Sequence, residues 1–357
     1  DLYNFNTSKV IDMDCMFNQC IKLKEIKGLN KFNTNQVTNM HCLFILCKEL
    51  ESLDLTQFDT SSVTDMSGIF SQCSKLKQIK GLNNFNTSKV NNFCGMFKLC
   101  EELECLDLSN FDTSNANNFD GMFSSSDLLK EIKGINKFNT KNVIYMKGMF
   151  NKCKLFEHLD LSNFDTSNVT DMSFMFNECY KLKEIKGINK FNTNKVTNMI
   201  AMFKLCKELQ YLELNFDSSN VTDMSFIFNQ CYKLEEIKGI NKFNTNKVTN
   251  MMGMFELCNQ LKYLELNFDT SNVTNMSFMF NSCYKLKEIK GINKFNTKKV
   301  KDMKGMFQLC KELQYLELNF DTSNVTDMSF MFNECYKLKE IKEINKFNTN
   351  KVTNMIA

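Results

Sequence analysis

The sixteen cysteines are the residues of this 357-residue chain with the most chemistry to offer. Twelve recur at near-constant spacing: Cys20, Cys47, Cys73, Cys100, Cys153, Cys179, Cys206, Cys231, Cys258, Cys283, Cys310 and Cys335. A column of thiols could ladder a metal or a run of disulfides. Packing explains it better. A thiol behaves as a small core hydrophobe. Parallel side chains one repeat apart are poorly oriented for an S–S bond. Ser126 fills the same slot, which suits a packed small group better than a ligand. Cys15 and Cys20, like Cys42 and Cys47, lie five residues apart, unlike a Cys-x-x-Cys zinc knuckle. Cys15, Cys42, Cys94 and Cys105 fall outside the column and are the better candidates for reactive thiols.

Nothing else suggests catalysis. The two histidines, His41 and His158, occupy unrelated slots. No nucleophile elbow, phosphate loop or metal-ligand cluster occurs. Asp and Glu recur periodically, as a solvated face does. The expectation is a non-enzyme with no catalytic residues, cofactor or metal. All 44 basic residues are lysine, set against 41 acids for a net charge of +3. That balance, without arginine, argues against nucleic acid as a partner. No apolar run reaches the roughly 18 residues a membrane-spanning helix needs, so no transmembrane segment is expected. Asn168, Asn220, Asn272 and Asn324 each open an Asn-Val-Thr sequon, which periodic drift explains as well as glycosylation does.

The cysteine column exists because the chain repeats. The phenylalanine of a Phe-Asn/Asp-Thr motif (Phe-Asp-Ser once) recurs 14 times, from Phe5 to Phe347, in alternating steps of 27 and 25 or 26 residues. Long repeats carry Lys-Gly-Ile/Leu-Asn, as at Lys186 to Asn189, and short ones Leu-Asp/Glu-Leu, as at Leu316 to Leu318. The glycine at the insertion suggests a bulge or tight turn, although Glu343 replaces it once. No linker interrupts the series, so residues 1–357 are expected to form a single solenoid domain. The sequence begins and ends inside a repeat, which suggests part of a longer chain.

Slots counted from the anchor Phe define the coil. Slot 5 is Val, slot 8 Met or Phe, slot 12 Phe and slot 15 Cys, with single exceptions at Ala116 and Ser126. Spacings of 3, 4 and 3 fit one face of a helix over slots 6 to 16, and the polar residues before it suit an N-cap. The Leu-x-x-Leu-x-Leu of short repeats predicts a strand over slots 20 to 23. The expected fold is an α/β leucine-rich-repeat-like solenoid of about 14 coils, with a parallel sheet on one face and short helices on the other.

Slot 22 alternates lysine with acid, from Lys27 and Asp54 through to Glu317 and Lys342, without exception. Stacked strands lie about 4.8 Å apart. A lysine column would repel itself, whereas alternation makes neighbours attract, by ~0.2–1 kcal/mol per pair. It also penalises a slip of one repeat.

The stretch from Phe164 to Leu182, Phe-Asp-Thr-Ser-Asn-Val-Thr-Asp-Met-Ser-Phe-Met-Phe-Asn-Glu-Cys-Tyr-Lys-Leu, resembles the BspA-like leucine-rich repeat surface proteins. These include the repeat family of unknown function abundant in mycoplasmas. The resemblance covers essentially the whole chain. Those proteins often carry tryptophan at the anchor, where this chain has Phe. The resemblance implies a cell-surface or extracellular protein used for adhesion, and identifies no ligand.

Two strips could make contacts. Slot 10 points away from the core on a helix, and holds Phe174, Phe226, Phe278 and Phe330 between small residues such as Ala201, Gly253, Gly305 and Ala357. These four phenylalanines are the main expected interaction strip. The alternative is that each ring folds down beside a Gly or Ala. Tyr211, Tyr263 and Tyr315 at slot 20 form a weaker strip on the strand face. The expected function is adhesion or protein–protein interaction, with a host, matrix or identical protein as partner. The alternative is a structural protein that self-assembles into a filament, fibre or coat.

Overall fold

The computed structural model describes residues 1–356; Ala357, the last member of slot 10, lies outside them. Each of its two units is a parallel β-solenoid of leucine-rich-repeat type. The chain divides into two compact units: residues 1–169 with 178–187, and residues 170–177 with 188–357.

The strands fall where the Leu-x-x-Leu-x-Leu pattern puts them, as three-residue pieces. The first unit holds β1 (Ser52–Asp54), β2 (Gln78–Lys80), β3 (Cys105–Asp107), β4 (Glu131–Lys133), β5 (His158–Asp160) and β6 (Glu184–Lys186). The second holds β7 (Tyr211–Glu213), β8 (Glu236–Lys238), β9 (Tyr263–Glu265), β10 (Glu288–Lys290), β11 (Tyr315–Glu317) and β12 (Glu340–Lys342). Their middle residues, such as Leu212 and Leu264, are buried except in β2 and β12, where Ile79 and Ile341 are half-buried, and the flanking residues face out.

The sheet is not continuous. Among the described residues the strands pair two by two, each short repeat with the long one that follows. The charge alternation therefore acts inside couples, with Asp160 opposite Lys186 and Glu213 opposite Lys238. These two pairs close to 3.2 and 3.0 Å. Slot 17 repeats the arrangement: Lys75 meets Glu49 at 2.7 Å and Lys233 meets Glu208 at 2.6 Å. The long-repeat glycine explains the coupling. Gly81 sits at φ +85°, where a Cβ would stand 2.6 Å from Thr56 Cα, and opens a 3-10 turn over Leu82–Asn84. The long turn thus closes directly on the backbone of the preceding short repeat.

The expected helix over slots 6 to 16 is absent. The only helices among the described residues are three-residue 3-10 turns elsewhere in the long repeats. Slots 10 and 14 take left-handed backbone conformations, as at Phe226 (φ 59°) and Gln230 (φ 60°), which no α-helix admits. Amides at even slots reach the next coil: Met224 N–H donates to Asn250 O, Phe226 to Met252, Phe228 to Met254 and Gln230 to Glu256, all within 3.1 Å. The intervening amides close local turns, such as Ile227 N–H to Met224 O. An amide committed to the next coil cannot also make the i→i−4 bond of a helix. The polar residues expected as helix caps accept turn amides instead, as Asp223 does from Ser225 N–H at 2.8 Å. They also carry the long ladder of each unit: Asp12–Asn39–Asp65–Asn92–Asn118–Tyr145 in the first, and Asp171 through Asn250 to Asn354 in the second.

The core stripe itself lies where the 3, 4 and 3 spacing places it. Val248, Met251, Phe255 and Cys258 are all fully buried. Slot-12 rings stack coil on coil within each unit, with Phe255 and Phe280 centroids 5.7 Å apart at 3°.

Candidate functional site

The thiol column proves to be a hydrogen-bond ladder. From Cys47 on, each column Sγ donates to the carbonyl of the slot-12 Phe one coil back: Cys73 to Phe44 and Cys179 to Phe150 in the first unit, Cys258 to Phe228 and Cys310 to Phe280 in the second, at 3.1–3.2 Å. Ser126 Oγ makes the same bond to Phe97 O at 2.9 Å. The slot therefore requires a small side chain that can donate. Burial pushes these thiols up, Cys231 and Cys283 to about 12, and holds them in the donating form. Among the described residues no three His, Cys, Asp or Glu gather to hold a metal ion. No helix there is long and apolar enough to cross a membrane.

The four slot-10 phenylalanines lie in the second unit and are all half-buried. The Phe226 and Phe278 rings bend toward the following coil. A Cβ on Gly253 would stand 2.8 Å from the Phe226 ring, and one on Gly305 2.7 Å from Phe278. Lys204 and Lys304 hold ammonium groups 5.0 and 5.8 Å from the centroids of Phe226 and Phe278. Part of these two rings is thus taken up by internal packing. Sequence reasoning missed Glu256, a slot-13 carboxylate beside this strip. It accepts from Asn229 at 2.7 Å and Asn281 at 3.1 Å, and burial raises its pKa. The available signal was a lone carboxylate in a column otherwise rich in Asn.

The tyrosine strip is more open. Tyr211, Tyr263 and Tyr315 head β7, β9 and β11 with 46, 60 and 58 % of their surface exposed. Each has a long-repeat glutamate as register partner: Glu236, Glu288 and Glu340. Clefts open between couples. One of about 720 Å³ is lined by Tyr263, Glu288, Lys290, Tyr315, Glu340 and Lys342. Another of about 520 Å³ takes in Glu236, Lys238, Tyr263 and Glu265. In the first unit the tyrosine slot holds Ser52, Cys105 and His158, all exposed. His158 Nδ1 lies 3.4 Å from Glu184.

The family described as "Mycoplasma protein of unknown function, DUF285" matches in overlapping copies over residues 1–103, 47–134, 95–211, 125–238, 178–291 and 284–357. Among proteins with curated descriptions, none matches. Similar solved structures include a leucine-rich cell surface protein from Faecalibacterium prausnitzii (19% identity, 87% of this chain and 77% of that one, TM-score 0.47). A leucine-rich repeat protein from Bacteroides ovatus shares 16% identity over 90% of this chain and 88% of that one, at TM-score 0.48. The pneumococcal vaccine antigen PcpA shares 15% over 87% and 78%, at TM-score 0.42.

Proposed function

The chain belongs to the DUF285 family, and from that membership we propose that it is a non-enzymatic repeat protein of the cell surface or extracellular space that binds another protein and mediates adhesion. We count one coil per anchor phenylalanine, 14 in all, and read them as one domain because the period in the sequence never breaks. One observation carries the binding reading. Within repeats that are otherwise near copies, the exposed slot on the short-repeat strands varies from Ser52, Cys105 and His158 to three tyrosines, of which Tyr263 and Tyr315 line open clefts. Buried slots barely vary, so folding alone does not ask for this substitution pattern. Tyrosine supplies contact area at low conformational cost and anchors many interfaces.

The test is binding of the purified chain to immobilised matrix proteins and host-type cells, with the triple variant Tyr211→Ser, Tyr263→Ser, Tyr315→Ser alongside. Retained binding by a folded triple variant sinks the strand face as the contact. The slot-10 phenylalanines support a second reading, self-assembly, because they repeat at every couple in the second unit. Sedimentation and electron microscopy of the same sample decide it: a monomer at high concentration excludes a filament or coat.

A further inference from the structure

We propose that Cys15 and Cys42 form a reversible disulfide that staples two neighbouring coils of the first unit. Both occupy slot 10 with left-handed backbone, φ 53° and 52°. Cys15 N–H donates to His41 O at 3.0 Å, and Cys42 N–H to Ser67 O at 2.9 Å, so the residues occupy equivalent places in adjacent coils. Adjacent parallel rungs stand about 4.8 Å apart, inside the roughly 4.4–6.8 Å between Cα atoms that a disulfide spans. Parallel side chains normally stand too upright to join. Slot 10 is different because its side chains lean along the stack. Cys42 Sγ reaches to 2.8 Å from where a Cβ on Gly68 would stand, as the Phe226 ring reaches over Gly253. The same lean aims Cys15 at Cys42, and the two thiols lie close enough for each to shift the other's pKa. Gly68 leaves the room that this lean needs.

The pair also differs from the thiol column in availability. Column thiols are tied to carbonyls, as Cys47 is to Phe17 O at 3.1 Å. Cys15 is partly exposed and can meet an oxidant. The oxidant class is a low-molecular-weight disulfide. The Cys15 thiolate attacks one of its sulfurs, forming a mixed disulfide and expelling one thiolate, which takes up a proton. Cys42, after losing its proton to water, attacks Cys15 Sγ and expels the second small thiol. Two protein thiols are oxidised and one small disulfide is reduced to two thiols. Burial, then Asp14, raises the Cys15 pKa, and burial pushes Cys42 to about 11. Exchange is therefore slow at neutral pH and quickens toward pH 9.

The experiment treats the native 357-residue chain with oxidised glutathione at pH 8.5 and locates disulfides by non-reducing proteolysis and tandem mass spectrometry. Fragment-level assignment is needed to separate Cys15 from Cys20 and Cys42 from Cys47. The expected product is one Cys15–Cys42 cross-link, with the column thiols unmodified and the melting temperature of the oxidised protein raised by several degrees. Cys15→Ser, folded by circular dichroism, should lose both the cross-link and the shift. Glutathione held on Cys15 with Cys42 still free overturns the proposal, as do two free thiols, or a cross-link that forms only in denaturant.

Discussion

Cys231 donates its Sγ proton to the carbonyl oxygen of Phe203, one coil back, at 3.1 Å. Both residues are fully buried, so no water can replace the bond. Cys231→Ala should leave the Phe203 carbonyl unsatisfied and cost ~1–3 kcal/mol. Cys231→Ser keeps a donor of similar size, as Ser126 does naturally, and should cost clearly less. Urea midpoints of the two variants check the order; equal losses would mean that only packing matters in this slot.

The same ladder sets an alkaline limit. Cys231 and Cys283 are pushed up to about 12, and Cys47 and Cys335 to about 11, from an ordinary value of 9.0, chiefly by burial. The folded chain thus holds protons that the unfolded chain releases. The stability involved is complete below pH 9 and is lost as pH rises from 9 toward 12. At the acid end, Asp217 and Asp269 are held below the ordinary 3.8 by bonds from Ser219 and Ser271, backbone first. Their contribution is present above that value and fades as pH falls below it. Melting temperatures across pH should give a plateau between about 5 and 9 with a fall on both sides.

Gly187 and Glu343 occupy equivalent left-handed positions, φ 88° and 68°. A Cβ on Gly187 would stand 2.5 Å from Ser162 Cα. Gly187→Ala should therefore cost at least ~2 kcal/mol, and Glu343→Gly should gain about 1 kcal/mol. Thermal melts of the two variants should move in opposite directions.

Phe226 carries a left-handed φ of 59° that favours glycine. Phe226→Gly removes that backbone cost and forfeits ring packing on Gly253 and Lys204. The two nearly offset, so stability should change by no more than ~1 kcal/mol. A loss of ~3 kcal/mol or more would show that the ring is structural and would weaken slot 10 as a contact strip.

The side-chain pattern alone determined the period, the membership of the core and the strand positions. Val248, Met251, Phe255 and Cys258 are legible as buried because burial depends on residue type and spacing. The same pattern could not say what backbone carries them. Spacings of 3, 4 and 3 place four residues on one side of a helix and equally on one side of stacked turns. Backbone amides are alike in every residue, so sequence does not record whether the Phe226 N–H bonds within its coil or to Met252 of the next. Only the stacked structure decided that, and with it the left-handed slots, the pairing of strands in couples and the carbonyl each thiol meets. It also decided how open the two strips are. Phe226 looked outward on an expected helix, but leans onto Gly253. Tyr263 stands free because its strand ends a couple and borders a cleft. The thiol column, first legible as packing, is packing with a directed hydrogen bond, since a buried carbonyl needs a donor and the nearest one belongs to another coil.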